Sequence, residues 1–340
     1  MSPSDIEIVF DEKVKPGDRD LVQRYIGRLT EAGLPVVLSP EHLQQILRVR
    51  VEQFYAISQS PDLYYREYYA RKNNGGRRKI SAPLPLLLFL QKWVLKNILE
   101  LQPVHPAAKA YLKKSSIKQN ARFHRKQNVV FKSDVKDFFG SISSKWVYEF
   151  FLSLGYSKAV SMLFTAICCK SNCLPQGAAT SGYLSNIFMH GFDEALLAYC
   201  NAHKLRYTRY ADDIAISGAA VDLSELTKIV EKQLRGRNLK INSGKTRLLA
   251  SHHRQKVTGV VVNERLGPGR DYLRALRKDL YYIEKYGIYG HARRTGWSSP
   301  TACLNNVYGR LTHALFLLGK DQDLEQKKKD LETVFEDIDL

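Results

Sequence analysis

The sequence predicts an α+β fold, and three observations carry that prediction. Apolar residues recur at helical spacing in several separate stretches, short β-prone runs lead into acidic residues, and neither regular strand–helix alternation nor an internal repeat connects them. A chain of 340 residues, 44% hydrophobic and 25% charged, has the makings of a packed interior, which excludes bulk disorder. That length suits one large domain or two to three small ones sharing interfaces.

The elements follow in order. Residues 39 to 57 read as one helix, with Ser39 as N-cap, Pro40 in the first position, and Leu43, Ile46, Leu47, Val51, Phe54 and Tyr55 at helical spacing. Residues 61 to 83 read as a loop or hairpin turning at Asn73, Asn74, Gly75 and Gly76. Leu87, Leu90, Val94, Ile98 and Leu101 define a helix over 86–101. Val129, Val130 and Phe131 form a buried strand that runs into Asp134. Residues 184 to 199 are amphipathic and helical. Between Arg206 and Ile216, two β-prone arms flank Asp212 and Asp213, as in a hairpin with the acids at its tip. A helix over 222–235, strands near 246–249 and 257–262, and a helical region from Tyr272 complete the chain, with a Gly/Ser/Pro-rich break near 287–300.

Charge narrows the function. There are 52 Lys and Arg against 34 Asp and Glu, a net +18, and the excess is clustered. Residues 101–133 and 232–263 contain no acid and eight bases each, and the segment 71–79 has five bases and no acid. Like charges packed this densely repel one another, and a polyanion relieves the repulsion through counterion release. Tyr111, Phe123 and Phe131 interleave with the bases, which favours nucleic acid over solvated faces. From Lys320 the sign reverses, with eight acids against four lysines.

No apolar run reaches the length of a membrane span, and residues 1–13 lack the order of a signal peptide. A cytoplasmic protein without a membrane partner is expected. Five cysteines (Cys168, Cys169, Cys173, Cys200 and Cys303) are too few and too unevenly spaced for a disulfide framework, and Cys169 with Cys173 lacks a second pair at zinc spacing.

Two acidic positions suggest chemistry. Asp134 ends an apolar strand, and Asp212-Asp213 lies between two others; carboxylates so placed are costly to desolvate unless paired or bound to a cation. Mg²⁺ prefers oxygen ligands, and two ions about 4 Å apart activate a hydroxyl and stabilise the departing oxygen in phosphoryl displacement. Neighbouring strands, about 4.8 Å apart, bring carboxylates close enough to share such a pair.

The segments around these acids add a further signal. Asp134-Val135-Lys136-Asp137-Phe138-Phe139, then residues 175–186 from Pro175 to Asn186, then Tyr210-Ala211-Asp212-Asp213 follow in the order and spacing that resemble the palm of a reverse transcriptase. Asn120-Ala121-Arg122-Phe123-His124 and Val257-Thr258-Gly259 resemble the Asn-Ala-x-x-His and Val-Thr-Gly signatures of bacterial retron reverse transcriptases. The similarity runs from about residue 40 to 320.

The resemblance implies a right-hand polymerase: an N-terminal helical region at 1–60, fingers at 61–125, palm at 126–256 with fingers elements interspersed, a helical thumb at 257–320 and an acidic helical tail at 321–340. It makes Asp134, Asp212 and Asp213 catalytic metal ligands for two Mg²⁺ ions, with the Val135 carbonyl, and Lys245 the proton donor to pyrophosphate. Phe139 becomes the steric gate against a ribose 2′-hydroxyl, Gln176 and Gly177 lie under the templating base, and Arg77 or Arg78 grips the dNTP triphosphate, Arg78 preferred. Asn120, His124, Val257, Thr258 and Gly259 become RNA contacts, His124 in a structural or RNA-contacting role, and the thumb, with Tyr272, Tyr281, Tyr282, Tyr286 and Tyr289, would hold an RNA stem-loop.

The implied reaction copies a cognate noncoding RNA (msr-msd), primed from an internal guanosine 2′-hydroxyl, into branched msDNA that stays bound. Such proteins act in anti-phage defence beside an effector, here expected to be a separate protein since no fused domain is evident. A group II intron-like or unassigned defence reverse transcriptase, or an RNA–DNA scaffold restraining a toxic partner, are the rival readings. The chain departs from the family pattern at Gly140, Ala179 and Gly182, where proline is frequent, and at Ala110-Tyr111, where Gly-Phe usually stands.

Overall fold

The computed structural model of the chain describes residues 16–71 and 75–338. In chain order, the first elements are α1 Pro16–Glu31, α2 Pro40–Leu47, α3 Val51–Gln59, β1 Tyr65–Arg71, β2 Arg77–Pro83, α4 Pro85–Asn97 and α5 Ile117–Phe123. Next come β3 Val129–Asp134, α6 Ser144–Ser153, α7 Lys158–Cys168, α8 Ser181–Phe188, α9 His190–Ala202, β4 Arg206–Tyr210 and β5 Asp213–Gly218. The last are α10 Leu223–Arg235, β6 Arg247–Ala250, β7 Lys256–Val257, β8 Val260–Val261, α11 Arg270–Thr295, α12 Pro300–Leu318 and α13 Gln322–Ile338. Helices with antiparallel sheets make the fold α+β. The chain divides into two compact units: one takes residues up to Leu112, Val135–Leu196 and Val230–Ile241, and the other takes the rest.

In the first unit, the expected helix over 39–57 is two helices. Ser39 does cap α2, accepting from the His42 amide, but Arg48 adopts φ +56 and ends it. The Gln44 side chain then accepts from the Val51 amide at 2.9 Å, and α3 begins. β1 and β2 pair antiparallel from Tyr65 opposite Pro83 to Arg71 opposite Arg77. Asn73 and Asn74, expected in their turn, lie outside the described residues, as does the 1–13 stretch. The helix expected over 86–101 stops at Asn97, and Leu99–Leu101 tightens into a 3₁₀ turn.

Two helices that apolar periodicity did not reveal, α6 and α7, form much of this unit's core. Ser143 and Ser157 cap them, accepting from the amides of Trp146 and Val160. α7 packs on α3, α4 and α6, where Phe164 lies 5.2 Å from Phe151 and 5.1 Å from Tyr156, ring centre to ring centre. Within this apolar packing, buried Gln91 uses every polar atom it has. Its Nε2 donates to Tyr65 Oη and the Ile167 carbonyl, and its Oε1 accepts from the Ala179 amide. The helix expected over 184–199 breaks at Met189 into α8 and α9.

The second unit is built on a four-stranded antiparallel sheet in the order β4-β5-β3-β6. Val130 and Ala215 pack with Ala121 of α5, Val257, Val260, Val262 and Leu317. The strand expected over 257–262 is a minimal hairpin, β7 and β8, because Thr258 and Gly259 adopt φ +46 and +84 and reverse the chain. The break expected near 287–300 shrinks to Gly287, the one residue in α11 outside helical geometry, and to residues 296–299. The acidic tail is a helix: Leu324 and Leu331 of α13 are buried with Leu304, Val307 and Leu311 of α12. Among the described residues, no helix is long and apolar enough to cross a membrane. All five cysteines are free thiols.

Candidate active site

The sheet of the second unit brings the acids together. Asp134, at the end of β3, is the register partner of Asp213, at the start of β5. Directly paired residues in an antiparallel ladder project to the same face, so the two carboxylates share one side of the sheet. Tyr210 pairs with Asp213, leaving Ala211 and Asp212 as a two-residue turn. Asp212 therefore sits in the turn and Asp213 just beyond it, rather than both at its tip.

Burial and the charge of Asp134 raise the proton affinity of Asp212 and Asp213. Burial first, and then the charges of Asp134 and Asp213, push Asp212 up to about 6. Burial also raises Asp213, opposed by Lys132, Lys245 and Arg247. Lys132 stands two residues before Asp134 and so on the same face, opposite Arg247 of β6. Lys245 has the most direct contact: its Nζ donates to both oxygens of Asp134, at 2.8 and 2.7 Å, and that bond raises the ammonium's own pKa.

Among the described residues, no three His, Cys, Asp or Glu side chains stand close enough to hold a metal ion as they are. The ammonium of Lys245 occupies the Asp134 oxygens that a cation would use. The donor set still fits a hard divalent ion: all its donors are oxygens, and the like charges raising Asp212 are what such an ion neutralises.

Two residues that the sequence did not mark as catalytic supports hold the turn. Ala211 takes φ +57, a conformation costing a non-glycine residue about 1–2 kcal/mol, and fully buried Arg209 donates from Nη1 to its carbonyl at 3.0 Å. His124, where an RNA contact was one of the expected roles, is fully buried behind the hairpin. Its two ring nitrogens bond Thr208 Oγ1 of β4 and Ser217 Oγ of β5, each at 2.7 Å. Burial, with the nearby charges of Arg206 and Lys132, lowers His124 to about 3, so the imidazole is neutral.

The two signature segments meet. Asn120 is buried and donates from Nδ2 to Thr258 Oγ1 at 3.3 Å, while its Oδ1 has no protein partner. Val257 is buried in the core, which leaves Thr258 and Gly259 as the accessible part of that segment. Buried Gln255, absent from the sequence reading, ties β7 back through three bonds to the carbonyls of Gln127, Asn128 and Leu249. On α11, Tyr281, Tyr286 and Tyr289 are exposed and Lys285 lies over two of these rings, whereas Tyr272 donates to the Arg310 carbonyl within the helix packing.

The remaining expected residues lie in the first unit. Arg77 and Arg78 are exposed on β2. Strand alternation puts Arg78 on the same face as Ile80, whose Cγ2 lies 3.1 Å from where a Gly177 side chain would begin. Gly177 has φ +129, and an added Cβ would meet the Ser81 carbonyl at 2.6 Å. Its close backbone approach is thus to β2 itself, where the Ser81 amide donates to the Gln176 carbonyl at 2.8 Å. Phe139 is half-buried, and its ring centre lies 5.4 Å from that of Phe138 and 6.1 Å from that of Tyr111. Val135 is buried and bridges Ile241.

Comparison with known proteins accords with this arrangement. Residues 70–262 match the reverse transcriptase (RNA-dependent DNA polymerase) family. The chain is 34% identical over 283 residues to the retron Ec86 reverse transcriptase of Escherichia coli, covering 80% of this chain and 86% of that one. It is 30% identical over 296 residues to the retron Mx162 reverse transcriptase of Myxococcus xanthus and 30% identical over 278 to the retron Mx65 reverse transcriptase of the same organism. Those matches cover 74% and 75% of this chain, and the chain spans only 60% and 65% of the two Myxococcus proteins.

Proposed function

We propose that this chain, which belongs to the bacterial retron-type reverse transcriptases and is an RNA-directed DNA polymerase, copies part of its own structured noncoding RNA (msr-msd) into branched msDNA. Priming is from an RNA 2′-hydroxyl. The observation that carries the catalytic reading is the register of Asp134 with Asp213, with Asp212 in the adjoining turn.

Reverse transcriptases use divalent metal ions; here Asp134, Asp212 and Asp213, with the Val135 carbonyl, would hold two Mg²⁺. When bound, the ions activate the primer hydroxyl and neutralise charge on the leaving pyrophosphate. The chain's own residues divide the remaining work. The Lys245 ammonium, which bonds both Asp134 oxygens and is held protonated by them, would be the proton donor for pyrophosphate were Asp134 to hold a cation instead. Arg209 and His124 keep the turn and both hairpin arms in place. Arg78, with Arg77 beside it, supplies charge-assisted contacts to the triphosphate of the dNTP. Phe139 closes the space a 2′-hydroxyl would need, and Gln176 with Gly177 supports the templating base.

For RNA recognition, Thr258, Gly259 and the exposed tyrosines of α11 offer the contact surface, with Asn120, His124 and Val257 acting from beneath. A-form RNA is read by shape, which suits a helical thumb at 257–320, after fingers at 61–125 and a palm at 126–256. With RNA and dNTPs as reactants, the work is cytoplasmic, and a separate effector beside this chain would give it an anti-phage role. Purification from cells and sequencing of the bound nucleic acid tests the proposal. DNA joined to RNA through a 2′–5′ branch is expected; linear DNA primed elsewhere, or RNA alone, would overturn it.

A further inference from the structure

We propose that Tyr111 is a positioning residue that holds the Phe139 ring in place, and that Gly182 is a glycine because it must admit Tyr111; this rests on reading Phe139 as the gate. Two rings touch Phe139. Phe138 is buried with its ring centre 5.4 Å from that of half-buried Phe139, and Tyr111 stands 6.1 Å from Phe139 with its plane tilted 56° to it. Tyr111 is therefore a wall against which the Phe139 ring rests.

The chain maintains this wall at a cost. Tyr111 adopts φ +60, which a non-glycine residue occupies only at about 1–2 kcal/mol. The neighbouring carbonyl, of buried Ala110, accepts from the Nδ2 of buried Asn186 at 2.8 Å, which fixes the backbone in that conformation. On α8, a Cβ added to Gly182 would lie 2.4 Å from Tyr111 Cγ and 2.7 Å from Cδ1, so the ring rests directly on the helix backbone. No larger residue fits at 182 without moving the ring.

Core packing does not explain the arrangement, because Tyr111 is 51% exposed. A strained backbone, a buried amide clamp and an obligatory glycine together present a half-exposed aromatic ring to Phe139. Such strain persists where the surrounding structure over-determines it, and functional sites are where it collects.

The test is the ratio of kcat/KM for dNTP over rNTP in single-nucleotide incorporation on a primed RNA template. Tyr111→Ala is expected to lower the ratio by about tenfold, chiefly by raising rNTP use, with kcat for dNTP close to the parent's. Tyr111→Phe should keep the ratio, since the ring rather than the hydroxyl forms the wall. Gly182→Ala should lower it in the same direction, and the double variant should be no worse than Tyr111→Ala, because both act on one ring. An unchanged ratio in Tyr111→Ala, alongside a collapsed ratio in Phe139→Ala, would overturn the inference and leave the gate standing. An unchanged ratio in Phe139→Ala would remove the gate and this inference with it.

Discussion

Replacing His124 with glutamine isolates the buried imidazole that joins α5 to both arms of the catalytic hairpin. Glutamine keeps hydrogen-bonding capacity but cannot titrate. Losing one of the two 2.7 Å bonds to Thr208 and Ser217 should cost about 1–2 kcal/mol near neutral pH. Acid then distinguishes the two proteins. His124 binds its proton at about 3 when folded, against an ordinary value of 6.5, so between these values the unfolded chain holds more protons. Its contribution to stability is complete above 6.5 and is lost progressively as pH falls toward 3. At about pH 5 the parent has lost about 2 kcal/mol that the variant never had, equivalent to about 3 °C of melting temperature in a chain of this length. Asp212 pulls the other way: raised to about 6, it makes the folded state gain stability as pH falls through that value. It is common to both proteins and cancels in the difference. Thermal melts of parent and variant at about pH 7.5 and about pH 5 should therefore show the gap closing in acid. A gap that stays constant would mean that the imidazole is not sealed in its neutral form.

Two further outcomes follow from the same geometry. Lys245→Gln removes the counter-charge from both Asp134 oxygens; because this lysine is more than half exposed, the pair is worth only about 1 kcal/mol, and Mn²⁺ titrations followed by electron paramagnetic resonance should show about fivefold tighter binding. Unchanged or weaker binding would mean that the ammonium does not compete with cations. Gly177→Ala forces a Cβ against the Ser81 carbonyl in a backbone region that suits glycine, and a melting experiment should register a loss of about 1–3 kcal/mol. Parental stability would show that the junction with β2 relaxes freely.

Much of the catalytic framework is readable from local pattern. The run from Arg206 to Ile216 has two β-prone arms, and its acids had to lie at or beside the turn between them; the chain adds the one-residue detail that Asp213 begins β5. The apolar strand leading into Asp134 was equally plain, since burial on both faces leaves a continuous hydrophobic run. What local pattern does not carry is the identity of distant partners. His124 precedes Thr208 by 84 residues and Ser217 by 93, so nothing nearby distinguishes a ligand-facing histidine from a buried one. Gly182 and Tyr111 look like unrelated departures until the ring is seen resting on the helix. The helices α6 and α7 were missed although Ser143 and Ser157 offered cap signals. The single helices expected over 39–57 and 184–199 break at Arg48 and Met189, where neither glycine nor proline gives warning.

Asp212→Asn gives the most direct measurement. It preserves shape and removes the charge that Asp134 and Asp213 crowd. Single-turnover dNTP addition on a primed RNA template should fall by about a thousandfold, while binding of the same template changes little. Parental rates of addition by this variant would mean that Asp134 and Asp213 on the β3–β5 face, with Asp212 in the adjoining turn, do not form the centre where DNA is made.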